Sequence, residues 1–261
     1  MFPLVPITVE FIGEEAIDEG GPLRELFTSF YDGIAQLLMY GQEKRYTFQH
    51  DVHKLEKEWF YFYGKCVALG FLMGAAGPHN FCSALASHIL SIDLPELNSI
   101  DVPCYDLKQK LEQAEAAQTH EELDRAVEDL EERFEAGYNK LMVSLNDKRD
   151  VVDKVSRHWI ITRQLQEIQQ FLRGIRSNGV LDMLKRHKEE SLMEFVYNAK
   201  HLTARKVQEM FQIVFSEDEA KKKKEQDVAY NWCNFLMSWS SMLSRMSILV
   251  TFLQKNSRRE G

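Results

Sequence analysis

Residues 7–27 read ITVEFIGEEAIDEGGPLRELF, and the fold turns on what this stretch becomes. Ile7, Val9 and Phe11 alternate with Thr8 and Glu10, the period-two pattern of a half-buried strand over residues 7–12. Glu14 to Gly21 then reads as a turn, and Pro22 sits where proline suits the first turn of a helix. That helix would turn Leu23, Leu26, Phe27 and Phe30 inward. No GxGxxG or GxxxxGK[ST] pattern surrounds Gly20 and Gly21, and Glu14, Glu15, Asp18 and Glu19 would repel phosphate, so the pair is not read as a phosphate loop. It is read as a corner that needs positive φ, where Gly21→Val would be strained.

Outward from that corner, the composition sets bounds. The chain has 261 residues and a net charge of −8, which argues against long-range attraction to nucleic acid or to an anionic membrane. Abundant Glu, Lys, Leu and Gln suggest a soluble, helix-rich protein. The most apolar run, Cys66–Gly77, is shorter than the roughly 18 to 20 residues of a membrane span and reads as a buried helix. The start, MFPLVPITVE, has no basic region and is not read as a signal peptide. Cysteines at 66, 82, 104 and 233 form no CxxC pair, which fits a reducing compartment, cytoplasm or nucleus.

Helical periodicity dominates the rest. Lys57–Met73 is one helix, closed by GAAGPHN, and residues 80–90 make another. Residues 93–106 read as a loop. At Thr119, THEE is a capping box. Leu123, Val127, Leu130, Phe134, Tyr138 and Leu141 then follow as the inner stripe of one amphipathic rod with an acidic outer face. Residues 158–175 form a helix with Ile161, Leu165, Ile168, Leu172 and Ile175 on one side, and Gly174 near its end serves as a left-handed cap. Short helices are expected over 178–187, 189–198 and 203–215. Lys221–Lys224, bracketed by acids, reads as a solvated loop, and beyond Trp239 the pattern changes.

Residue chemistry announces no reaction. His50 and His53 share a spacing suited to one helix face, but no third metal ligand is signalled, so no metal is expected. Cys66, Cys82 and Cys233 lie in apolar stretches and are expected to be buried thiols. Cys104, in a polar loop, is the accessible one, with no basic neighbour in sequence to lower its pKa.

Together the landmarks form an ordered set that resembles the HECT domain of ubiquitin ligases. Gly13, Glu14, Asp18, Gly20, Gly21, Arg24, Glu25 and Phe27 resemble its opening. YFYGKCVALGFLMG is similar to its next landmark, a Gly-Lys before an apolar helix. LNDKRDVVDKVSRHWIITRQLQEIQQFLRGI resembles the segment with Asn-Lys, then Gln, Phe and Gly, here Gln169 or Gln170, Phe171 and Gly174. FSEDEAKKKKEQDVAYNWCNFL is similar to the closing Ser-Glu loop and helix. The flavour is that of the divergent G2/M-phase ligase type.

The resemblance implies a mainly α (α+β) fold, a HECT N-lobe-like helical domain over 1–239 with a short β element near the N-terminus. It implies a family member acting in protein ubiquitination, with a ubiquitin-conjugating enzyme, ubiquitin and a protein substrate as partners and no cofactor. In the family this lobe docks the ubiquitin-charged conjugating enzyme, through a subdomain that position puts near 108–145, where Tyr138, Leu141 and Met142 are the candidate anchors. Against them stands the reading that Tyr138 and Leu141 continue a buried helix stripe. The thioester-forming cysteine belongs to a further lobe, in a Thr-Cys-Phe-type context that none of the four cysteines has. Residues 240–261 are therefore expected to be a divergent or truncated tail, and the chain catalytically incomplete. The competing classes are a non-catalytic interaction module derived from a HECT domain and a cysteine enzyme centred on Cys104.

Overall fold

The computed structural model of the chain describes residues 7–10, 12, 21–140, 143–197 and 204–257. The chain divides into two units, Met1–Asn198 and Ala199–Gly261. In the first, helix α1 (Gly21–Leu38) leads straight into a hairpin of β1 (Met39–Gln42) and β2 (Arg45–Phe48). Helices α2 (Val52–Glu56), α3 (Trp59–Leu72) and α4 (Ser83–Leu90) follow. Next come α5 (Tyr105–Ala116), α6 (His120–Glu128), α7 (Glu132–Glu135), α8 (Lys148–Ile160), α9 (Leu165–Ile175), α10 (Val180–Arg186) and α11 (Lys188–Phe195). The second unit holds α12 (Ala204–Met210) and α13 (Glu219–Ser257). The mainly helical fold with a short β element is as expected.

The β element is not where the alternation pointed. Ile7–Glu10 form no strand, Ile7 is 40% exposed, and Phe11 lies outside the described residues. Alternation only creates a face; a strand also needs a ladder, and here β1 and β2 pair with each other, Met39 opposite Phe48 and Gln42 opposite Arg45. Glu43 and Lys44 turn the hairpin at φ 54° and 58°. That is the mirror-image turn that suits strand twist, made without the usual Asn or Gly. Phe81 and Val196 extend the strip through single bridges to Tyr46 and to each other.

Around β2 an aromatic hub ties the unit together. Phe48 stands 5.3 Å from the ring of Phe171 on α9, 5.4 Å from Phe60 on α3 and 5.7 Å from Phe81. Phe81 in turn meets Phe195 of α11 at 5.4 Å. Tilted and edge-on contacts of this kind add to the apolar burial. Thr47 extends the join by donating to the Ile160 carbonyl at 3.1 Å and pairing with Gln164 at 2.7 Å. His50, half of the HxxH, shares a 2.8 Å bond with the buried carboxylate of Glu167, while His53 is exposed.

Several local expectations change. The α1 face buries Phe27, Tyr31, Ala35 and Leu38, and Leu26 is 41% exposed. Gly21 is the first residue of α1 and has no positive φ, so the strain expected of a valine there has no basis; Gly20 lies outside the described residues. The helix read over 158–175 is two helices, α8 and α9, with a 3-10 turn at Thr162–Gln164 between them. Gly174 lies inside α9 and serves a close crossing with α3 rather than a cap. In the second unit, Lys221–Lys224 belong to the first turns of α13, not to a loop, and the same helix continues past Trp239.

Candidate partner-docking site

The 108–145 region is built from α5, α6 and α7, and its construction follows from local chemistry. Cys104 is the N-cap residue of α5, which buries Leu107, Leu111 and Ala114 against Leu123, Ala126 and Val127 of α6. At the far end of α5, Lys148 donates to the carbonyls of Glu115 at 2.7 Å and Ala117 at 3.0 Å. A cation suits the unpaired carbonyls and the negative end of a helix. Glu115 accepts from the Ser99 amide at 2.9 Å and its hydroxyl at 2.6 Å, fixing α5 to the preceding turn. The Thr119 capping box forms as read: Thr119 accepts from the Glu122 amide at 3.2 Å and Glu122 reaches back to the amides of Gln118 and Thr119. Those bonds hold the Glu122 carboxyl below its usual range.

The expected rod does not run on. α6 stops at Glu128, and Asp129–Glu131 separates it from α7. α7 in turn ends on Gly137 at φ 79°, with the Tyr138 amide donating to the Arg133 carbonyl at 2.8 Å. This is the left-handed helix stop that glycine favours. The first break changes the phase of the apolar stripe, and the second ends the helix. Leu123, Val127 and Leu130 stay buried, while Phe134 is turned outward and 51% exposed. The Arg133 guanidinium lies 4.5 Å from the Phe134 ring centre, a cation–π contact that steadies the ring. Glu121, Glu128, Asp129, Glu131 and Glu135 are exposed across the same short subdomain.

Of the three sequence-derived anchors, only Tyr138 is described; Leu141 and Met142 lie outside the described residues. Tyr138 is 2% exposed, with Lys140 and Lys154 over its ring at 5.8 and 5.4 Å. It is core, but not as the continuation of a helix stripe: it follows the Gly137 stop, outside α7, and as placed it presents no surface to a partner. Burial raises the pKa of its hydroxyl. The exposed apolar residue that sequence reasoning assigned inward is Phe134. The break at Asp129–Glu131, which precedes Phe134, turns it outward, and neither Gly nor Pro marks that break in the sequence.

The cysteines are unpaired, and Cys82 alone is fully buried; Cys66, Cys104 and Cys233 are half-buried. Burial pushes the Cys82 thiol up to about 11 and raises that of Cys66. Cys104 lies 3.7 Å from the Tyr40 hydroxyl, whose own proton is held more tightly, the contact with Cys104 being the leading cause. A phenol so shifted is a poor base for a thiol.

The motif residues, by contrast, converge on architecture. Phe171 fills the aromatic hub, Gln170 donates to the Leu55 carbonyl at 2.8 Å, and Gly174 meets Gly64 of the Gly-Lys landmark. The signature of the HECT-domain (ubiquitin-transferase) family matches residues 23–245. The chain belongs to the HECT-domain family. It is also 22% identical over 173 residues to a chicken (Gallus gallus) G2/M phase-specific E3 ubiquitin-protein ligase. That alignment covers 66% of this HECT chain and 23% of the relative. The chain thus spans about a quarter of the curated relative it matches. Among the described residues no helix is long and apolar enough to cross a membrane.

Proposed function

We propose that this chain acts in protein ubiquitination by docking a ubiquitin-charged conjugating enzyme on the α5–α7 face, and carries no ubiquitin thioester of its own. Family membership supports the pathway, and the observation that carries the docking reading is Phe134. An exposed ring, held by Arg133 on a short stopped helix and set among carboxylates, has the form of an aromatic anchor with a polar rim. The partner surface it fits is an apolar pocket edged by lysine or arginine. Four unpaired cysteines favour work in the cytosol or nucleus.

The test is titration of the full chain with a conjugating enzyme joined to ubiquitin through a hydrolysis-resistant bond. Phe134→Ala should weaken binding by roughly tenfold or more, as for a central anchor. Glu131→Gln with Glu135→Gln should slow association and flatten its salt dependence. Binding unchanged in Phe134→Ala would move the docking site elsewhere on the chain. Absence of binding by the parent chain would favour a HECT-derived interaction module.

A further inference from the structure

Ser216 is the one serine or threonine in the chain followed by acidic residues at each of the next three positions, Glu217, Asp218 and Glu219. It lies in the irregular stretch between α12 and α13. Glu217 and Asp218 are exposed and Ser216 is half-buried. Ser216 closes a clasp on α13: its hydroxyl donates to one Glu225 oxygen at 2.5 Å and its amide donates to the other at 2.7 Å. These two bonds, the hydroxyl first, hold the Glu225 carboxyl below its usual range, so it is ionised at neutral pH. The clasp holds Ile213, Val214 and Phe215 along a groove shared with Val228 and Trp232.

We propose that Ser216 is a phosphorylation site for an acid-directed serine/threonine kinase, and that the phosphate opens the Ser216–Glu225 clasp. The acidic run gives such a kinase its charge pattern, since a basic cleft discriminates substrates by carboxylates placed after the acceptor. Backbone free of helix or strand can be drawn into a kinase cleft, which a capped helix start such as Thr119, also followed by acids, resists. In the transfer, Ser216 Oγ bonds to the γ-phosphorus of a nucleoside triphosphate. The bond from that phosphorus to its bridging oxygen breaks, the nucleoside diphosphate leaves, and the hydroxyl proton passes to the kinase base.

The clasp depends on that same proton. Phosphorylation removes the Oγ donor and sets a group of about −1.5 to −2 charge against the Glu225 carboxylate. The two repel, and the phosphate has cations within the first turns of α13, where Lys221, Lys223 and Lys224 are exposed. Loss of the clasp frees the 211–216 stretch, with its half-buried Phe215, from α13.

The experiment incubates the full chain with an acid-directed serine/threonine kinase and radiolabelled ATP, maps the label, and follows amide exchange. One phosphate per chain is expected, on Ser216. Ser216→Ala should abolish it, and Ser216→Thr, which keeps an acceptor, should retain it. Combining Glu217→Gln, Asp218→Asn and Glu219→Gln should slow labelling by about tenfold or more, while Asp218→Asn preserves a capping oxygen for α13. Amide exchange over 211–216 should quicken by about tenfold on phosphorylation, and likewise in unmodified Glu225→Gln. An unlabelled parent chain, or label that survives Ser216→Ala, would overturn the site. Label on Ser216 with unchanged exchange would overturn the opening of the clasp.

Discussion

Gly64 of α3 and Gly174 of α9 face each other at the crossing of their helices, with no side chain between them. A Cβ on Gly64 would stand 3.1 Å from Gly174 Cα and 2.9 Å from the Ile175 nitrogen, and one on Gly174 would stand 2.9 Å from the Lys65 nitrogen. The obstacles are backbone, which cannot swing aside. Gly64→Ala and Gly174→Ala should therefore each cost about 1–3 kcal/mol through overpacking. Thermal unfolding checks this, at roughly 2–4 °C per kcal/mol for a domain of this size. Gly21→Ala is the contrast: among the described residues nothing lies within 4 Å of its added Cβ. It should leave stability unchanged or raise it by up to about 1 kcal/mol. Equal losses at Gly21 and Gly174 would sink the crossing argument.

What the sequence disclosed follows the range of the forces involved. The Thr119 box, the apolar run of α3 and the short helices over 178–187 and 189–198 are set by neighbours within a turn and form near those bounds. The helix expected over 203–215 ends at Met210 and leaves 211–216 irregular. The hairpin is set by Glu43 and Lys44 at positive φ, which composition does not mark. The rod over 119–141 kept its apolar period on paper because periodicity alone does not register the breaks at Asp129–Glu131 and Gly137. Phe134 was hidden for that reason. The Gly64–Gly174 contact joins residues far apart in the chain, so a cap was the only local meaning Gly174 offered.

Tyr138 tests core against anchor. Its hydroxyl is buried with no hydrogen-bond partner among the described residues, while its ring is packed. Tyr138→Phe removes the costly group and keeps the ring, so stability should hold or rise by up to about 1 kcal/mol. Tyr138→Ala should cost about 3–5 kcal/mol, as for other buried aromatic truncations. Denaturant midpoints decide the matter. A Tyr138→Ala chain with unchanged stability but weakened partner binding would restore it as an anchor.

Stability should fall on the acid side of neutrality, in part through His88 on α4. Burial first, and the Lys185 ammonium second, hold its imidazole below the ordinary value of 6.5. The unfolded chain therefore takes up a proton before the folded one does. The contribution is fully present above pH 6.5, is lost as pH falls through that value, and levels off once the folded imidazole also protonates. His88→Gln should flatten the stability curve between about pH 7.5 and 5.5, and Lys185→Met should do so partly. Unfolding curves across that window are the measurement, and an unaltered slope in His88→Gln would refute the assignment.

With activating enzyme, conjugating enzyme, ubiquitin and ATP, these 261 residues should form no ubiquitin adduct that a thiol reductant cleaves. Transfer needs an accessible thiolate beside the docked donor. Cys82 is sealed in the core with its thiol pushed up to about 11, and burial likewise disfavours the Cys66 thiolate. Cys104 meets a tightly protonated phenol, and Cys233 is half-buried in the second unit. The readout is a non-reducing gel, on which the charged conjugating enzyme supplies the positive control. A reductant-labile band on this chain that disappears in Cys104→Ser would make Cys104 a nucleophile. A band lost only in Cys233→Ser would assign that role to the second unit. Discharge of the conjugating enzyme onto this chain's lysines, resistant to reductant and unchanged in both serine variants, fits docking without a thioester intermediate.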